Sequence, residues 1–527
     1  MSAGGSEPPG PSPVIRSLFG LFASVRHLWR LLAIAFVLAR HDALFPLERL
    51  GAVPGITLFA RLLRRPGQGR PGQRLAAALR SLGPSFIKLG QALSTRADLM
   101  GEEVAADLAD LRDRLPPFPA ASARATIVAD LEQPVETLFA SFEDVPIAAA
   151  SIAQVHFAVT SDGRPVAVKV LRPRIEAEFA RDLALFAWMA DVVERAVPAS
   201  RRLKPREVVR TFEETVRLEM DLRFEAAAAA ELADNFAGDP TFRVPAVDWQ
   251  RTGRRVLTTE RVDGLPINER AAIIAAGHDP RQVMAHAAAA LFRQVFRDGF
   301  FHGDMHPGNC FVGPDGAVVP VDFGIMGRLD LPTREFLADM LIGFLNGDYR
   351  QVADVHFRAG YVPAHQSRDT FMQACRSIGE PIFGRPLADI SLARLLGQLF
   401  RITEQFEMET QPQLLLLQKT MLVAEGVGRS LDPSVNMWIL ARPLIEDWMI
   451  ENRGPEARLR RGIDDAITLA GRVPRLFDAV ETLAESARTG IRLHPETFRS
   501  RGGERLGWIS IGLALAALLV ALSTLLR

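Results

Sequence analysis

The chain has 527 residues, enough for more than one domain, and balances 62 Lys and Arg against 62 Asp and Glu. A formal net charge of zero gives no basic field for nucleic acid. Two cysteines, Cys310 and Cys375, exclude a disulfide framework and point to a reducing compartment. Residues 1–13, MSAGGSEPPGPSP, read as disordered. Residues 14–74 read as N-terminal helices and a linker. Within them, 14–45 is an amphipathic helix lying on a membrane or on the protein, and RRPGQGRPGQR (64–74) leads into a helix from about Gln73. Residues 75–133 form a helical extension, with two helices over 75–115 that stop at Pro116-Pro117. Residues 134–264 read as a small mixed lobe. PVETLFASF, PIAAASIAQVHFAV and RPVAVKV are strand-like, helices fill 174–237, and DWQRTGRRVLTTERVDG reads as a strand pair running into a hinge at 262–264. Residues 265–490 are helical around one hairpin, which turns at Pro314-Asp315-Gly316. Residues 491–527 form a juxtamembrane segment and an anchor. Residues 506–526 carry no charge, and 21 helical residues span about 30 Å, one hydrocarbon core. Arg499, Arg501 and Arg505 precede the span and Trp508 sits at its edge, which places the bulk of the chain on the cytoplasmic side.

The chemistry concentrates in HGDMHPGN (302–309) followed by DFG (322–324). Asp304 and Asn309 are five apart, the Asp-to-Asn spacing of a kinase catalytic loop, and Asp322 is the acid of the D-F-G that follows. In that chemistry one carboxylate orients or deprotonates the attacking hydroxyl, while the amide and the later acid hold Mg²⁺ against the phosphates. Both offer the hard oxygen ligands that Mg²⁺ prefers. A polar hairpin turn would explain the spacing without explaining three such side chains. Lysine usage sharpens the reading. Only four of the 62 cationic residues are lysine (Lys88, Lys169, Lys204 and Lys419), so a retained lysine marks a place where a compact ammonium is needed. Lys169 ends the run PVAVKV, the pattern of a kinase strand whose lysine bridges phosphates and a helix glutamate.

These and further motifs resemble one family, the UbiB/ADCK atypical protein-kinase-like proteins associated with ubiquinone biosynthesis. The resemblance covers about residues 75–435. It rests on FIKLGQ with STRADLM (86–100), AAASIAQVH (148–156), VAVKV, EMDLRFEAA (219–227), HGDMHPGN, DFG, and QKT with EGVGRSLDP (418–433). It implies an α+β, two-lobed protein-kinase-like fold, mostly helical, with an N-terminal helical extension and a C-terminal transmembrane helix. Where ordinary kinases carry a Gly-rich loop, this chain has Ala148, Ala149, Ala150 and Ser151, whose methyl groups restrict the turn. The resemblance makes these four residues, Lys169 and the hinge residues Glu260 and Val262 the nucleotide contacts. It makes Asp304, Lys169 and Glu225 catalytic, Asn309 and Asp322 the Mg²⁺ ligands, and ATP or ADP the nucleotide. The spacing alone cannot choose among Glu213, Glu214, Glu219 and Glu225 as the partner of Lys169. Lys88 and Gln91 are implied to cross the active site and meet the acids Glu219 and Asp221 as a lid over the peptide groove. Lys419, in LLLLQKTML, falls in a family motif to which its surroundings assign no chemistry.

The function expected from this reading is a membrane-anchored kinase-like ATPase supporting ubiquinone biosynthesis at the bacterial inner membrane. Its partners would be membrane lipid or quinone precursors and other proteins of that pathway, with no nucleic acid. Two alternatives stay open: a small-molecule phosphotransferase of the aminoglycoside or choline kinase type, and a non-catalytic nucleotide-binding scaffold. The arginine of a kinase H-R-D is replaced by Gly303, and no A-P-E segment follows Gly324, so the usual peptide-docking machinery is not expected.

Overall fold

The computed structural model describes residues 29–45, 69–94, 100–109, 111, 115–196, 205–381, 402–403, 405–408, 411–432 and 437–453. The chain divides into two units, Met1–Met449 and Ile450–Arg527, and the described residues lie in the first apart from the end of one helix. The expected disordered start and the apolar stretch 506–526 lie outside the described residues. Among the described residues no helix is long and apolar enough to cross a membrane.

The N-terminal extension holds helix α1 (29–40), α2 (Pro71–Leu82), α3 (Pro84–Ser94) and α4 (Glu102–Ala109). Three helices thus occupy the stretch read as two. Gly83 takes φ 107° and Pro84 has no N–H, so a continuous helix breaks between Leu82 and Pro84. The first of these helices also begins at Pro71 rather than Gln73, because proline at a first helical turn removes an N–H that has no partner anyway. In α1 the apolar face, with Ile34, Leu38 and Ala39, is buried against the protein.

Helices α5 (Ala120–Leu131) and α6 (Val135–Leu138) lead into an antiparallel sheet: β1 (Phe139–Phe142), β2 (Ala148–Ala149), β3 (Ala153–Thr160), β4 (Pro165–Leu171) and β5 (Val256–Glu260). The order is β1-β3-β4-β5, with β2 paired to the start of β3. Alternation along β4 sends Val166, Val168 and Val170 into a core with Ile127 and Phe139 and leaves Lys169 on the other face. The segment read as a strand pair supplies one strand only. Trp249–Arg251 is a 3₁₀ turn, because the buried Arg251 guanidinium needs Asp248 at 2.9 Å and the Leu138 carbonyl at 2.8 Å, which an extended strand would not give it.

Between β4 and β5 run α7 (Ile175–Ala196), α8 (Pro205–Glu219) and α9 (Leu222–Asn235). The N-terminal extension and this insertion share one apolar core, in which Phe86 meets Phe186 edge-on at 5.2 Å. Glycine makes the approach possible. A Cβ on Gly90 would lie 2.8 Å from Leu79 and 3.2 Å from Leu111.

The second half contains β6 (Leu265–Pro266), α10 (Arg270–Ala275) and α11 (Pro280–Phe292), which runs into a π turn, Arg293–Asp298. β7 (Phe300–His302) pairs with β10 (Met326–Arg328), and the hairpin β8 (Cys310–Val312) and β9 (Val318–Pro320) turns through Gly316 at φ 79°. Helices α12 (Leu331–Leu345), α13 (Tyr349–Arg358), α14 (Arg368–Gly379), α15 (Pro412–Leu431) and α16 (Met437–Arg453) follow. Asp279, Asp330, Asp348 and Ser367 each accept a backbone N–H as N-caps.

Candidate functional site

Lys169 is the centre of the site. Its Nζ lies 2.8 and 2.9 Å from the two oxygens of Glu225 and 2.8 Å from Asp322 Oδ1. Asp221 caps α9 by accepting from the Arg223 backbone N–H, which puts Glu225 in the first turn of that helix, buried. Of the four glutamates that the spacing left open, Glu225 is the one on Lys169. Burial opposes the lysine charge, but the two carboxylates outweigh it and hold the ammonium well above the usual lysine range. Glu225 is pushed up to about 7, because burial raises it and Lys169 only partly draws it back. Asp322 is held low: burial works against it, and Lys169 prevails with help from Lys88 and His302. Two acids sharing one cation favour a single retained proton, and the more buried acid keeps it. Asp322 stands at φ 64°, in the left-handed region an aspartate seldom adopts.

The loop 302–309 is fixed from behind. The buried Gln294, in the π turn, accepts the His302 backbone N–H at 2.9 Å. His302 is buried, which lowers its pKa; its Nε2 faces the Val321 carbonyl at 3.2 Å and its Nδ1 accepts the Asp304 N–H at 3.1 Å. It is therefore a brace between the two motifs and not a metal ligand. His306 accepts the Gly308 N–H in its own turn. The Asn309 amide donates to the Asp304 carbonyl at 3.3 Å, and its backbone carbonyl accepts the Val321 N–H. Among the described residues no cluster of three or more His, Cys, Asp or Glu is arranged for a metal. Asn309 and Asp322 nevertheless suit Mg²⁺, which takes one or two protein oxygens and completes its shell with phosphate and water. The Asn309 amide nitrogen is already engaged, leaving its oxygen as the ligand, and Lys169 binds Asp322 through Oδ1 alone. Cys310 is buried, its thiol pushed up to about 12, and inert.

The extension reaches the site through Lys88, whose ammonium lies 2.8 Å from Glu219, both largely buried. Glu219 ends α8, where the helix dipole also favours a cation. Two members of the expected lid have other partners. The Gln91 amide reaches the Leu111 carbonyl at 3.4 Å, because α3 turns that face toward the extension itself. Asp221 is taken by its capping role and by Arg223 at 2.6 Å. The Ala148–Ser151 turn is pinned by Arg172, which donates to the Ala150 carbonyl at 2.8 and 3.0 Å and to Pro116 at 2.9 Å. His156 is buried and packs: it contacts Gln154, the Glu143 carbonyl and the Phe142 ring. The Glu260 carboxylate is occupied by Arg243 at 2.6 Å, so any contact it makes with a nucleotide falls to its backbone; Val262 lies in the following hinge, partly buried.

Sequence reasoning gave Lys419 no role, and the structure gives it a partner. Its Nζ lies 2.9 Å from Asp304 Oδ1. The scarcity of lysine was the signal that could have found it. All three described lysines, Lys88, Lys169 and Lys419, sit on carboxylates of the motifs.

A strand lysine joined to a helix glutamate and to the aspartate of a DFG, beside a loop carrying acid and amide, defines a protein-kinase-like site. A model of the ABC1 atypical kinase-like domain matches residues 110–356, and one of the UbiB helical domain matches residues 375–436. A curated relative named "Probable protein kinase UbiB" from Marinobacter nauticus is 41% identical over 511 residues, covering 93% of this chain and 93% of the relative. Another of the same name, from Aeromonas hydrophila, is 42% identical over 436 residues, 82% of this chain and 80% of that one. The solved complex of Rv3197 with erythromycin from Mycobacterium tuberculosis is similar at 27% identity with a TM-score of 0.50, covering 71% of this chain and 95% of that one. The chain belongs to the UbiB family of atypical kinase-like proteins.

Proposed function

We propose that this chain binds Mg-nucleotide and transfers the γ-phosphoryl group of ATP, slowly, to water or a hydroxyl, in support of ubiquinone biosynthesis. The observation that carries the reading is Lys169 held between Glu225 and Asp322. This arrangement sets an ammonium where nucleotide phosphates are met and an acid where Mg²⁺ is held. Asp304 takes the hydroxyl proton, and Asn309 and Asp322 hold the metal, which would neutralise phosphate charge when bound. Lys88 on Glu219 closes the extension over the groove where a peptide would lie, which favours small or lipid acceptors over proteins. The uncharged residues 506–526 anchor the chain in the inner membrane, beside lipid and quinone precursors. The test is a thermal-shift titration with Mg-ATP, since a ligand that binds the native state stabilises it by mass action. Wild type is expected to shift and Asp322→Asn to shift much less; an equal shift in both would remove the metal assignment. Accumulated quinone precursors in a deletion strain are expected in parallel, and unchanged quinone pools would remove the pathway.

A further inference from the structure

We propose that Lys419, carried by the helical domain, is the cation that meets the transferring γ-phosphoryl group at Asp304, so that the kinase-like site is complete only with α15 in place. The inference rests on the reading that the site transfers phosphoryl from Mg-nucleotide. Phosphoryl transfer spreads negative charge over the equatorial oxygens, so positive charge is needed beside the acid that receives the hydroxyl proton. The catalytic loop itself supplies little of it. Gly303 precedes Asp304, Met305 follows, and His306 Nε2 stands 3.8 Å from Asp304 Oδ2, beyond hydrogen-bond reach. Lys169 is committed to Glu225 and Asp322. Among the described residues, the other cation on Asp304 is Lys419 at 2.9 Å. Its side chain is 37% exposed and that of Asp304 24%, so both can meet a substrate.

The helix that carries Lys419 is locked against the loop. A Cβ on Gly303 would lie 2.9 Å from Leu416, so glycine there is what lets α15 approach. Leu417 and Thr420 are buried on either side of Lys419, and the far end of the helix is tied by Arg270 to the Leu431 carbonyl at 2.9 Å. The ammonium has three donors, enough to keep Asp304 and still reach phosphate oxygen. In the step, the acceptor hydroxyl gives its proton to Asp304 and its oxygen bonds to the γ-phosphorus. The bond from that phosphorus to the β,γ-bridging oxygen breaks, and its electron pair leaves with ADP. Lys419 keeps its proton throughout.

The test uses the full-length protein and Lys419→Met, which keeps a similar length without charge. Labelled-ATP turnover, Mg-ADP affinity, and Mg-ADP affinity with aluminium fluoride, a mimic of the transferring group, are measured on each. The expected result is a fall in kcat of about 10²–10³-fold, the effect of removing one donor aimed at developing charge. Mg-ADP affinity and the melting temperature stay at wild-type values, and the tighter binding that aluminium fluoride gives to wild type is lost. Wild-type kcat in the variant, or equal loss of plain Mg-ADP binding and folding stability, would overturn the inference. If wild type binds Mg-ADP but turns nothing over, the catalytic reading fails separately. The inference then stands or falls on whether Lys419→Met selectively loses the aluminium fluoride complex.

Discussion

Glu225 shows how burial sets chemistry at a single position. Its carboxyl ordinarily titrates at 4.5 and is raised to about 7 by burial. Between those values the native state holds a proton that the unfolded chain has released. Its stabilising contribution is therefore complete below pH 4.5 and is lost as pH rises to about 7. One proton corresponds to a slope of at most about 1.4 kcal/mol per pH unit. The buried His156, His302 and His356 have lowered values and act with the opposite sign, stability rising toward pH 6.5. The informative quantity is thus the difference between wild type and Glu225→Gln. Urea midpoints from pH 5 to 8 should show the variant losing the descending component, and parallel curves would refute the shared-proton account. Asp322 acts in a separate window, contributing above 3.8 and failing below it.

At the scale of elements, close approach through glycine places the site. Gly327 on β10 lies opposite Phe301 on β7, and a Cβ there would come within 2.1 Å of the fully buried ring. Gly327→Ala should cost about 1–3 kcal/mol by overpacking. It should also displace β7, which leads into His302 and Asp304, so turnover should fall with the denaturation midpoint. An unchanged urea midpoint would mean that the strands relax freely. The pairing of α3 with the end of α8 makes a second prediction. Lys88→Ala removes one member of a largely buried ion pair and leaves Glu219 uncompensated. The extension should loosen, changing ATP hydrolysis or autophosphorylation while nucleotide binding persists. Robust phosphorylation of added peptides by the wild type would contradict a closed groove.

Across the whole molecule, three separate stretches converge on one site: the N-terminal extension through Lys88, the kinase-like domain through Lys169, and the helical domain through Lys419. The proposed anchor at residues 506–526 carries a further prediction. Truncation after Gly503 should move the protein from the carbonate-resistant membrane fraction toward the soluble one. Extraction of the full-length protein by carbonate would remove the spanning helix.

The sequence by itself determined which side chains stand as candidates for the site, and their order. Lys169, Asp304, Asn309 and Asp322 were legible as candidates because the proposed metal and phosphate contacts would demand particular side chains at spacings set by local turns. The strand alternation in PVAVKV was legible for the same local reason: period two puts Lys169 opposite the valines. Only the tertiary structure decided which acid each lysine meets. Glu225 rather than Glu213, Glu214 or Glu219 faces Lys169 because Asp221 begins α9 and orients its first turn. The Gln91 amide meets the Leu111 carbonyl, because Gly90 packs α3 onto its own extension. Lys419 and Asp304 are 115 residues apart, and nothing local couples them. Their contact follows from packing of α15 against Gly303, a property of shape complementarity between distant segments that no periodicity encodes.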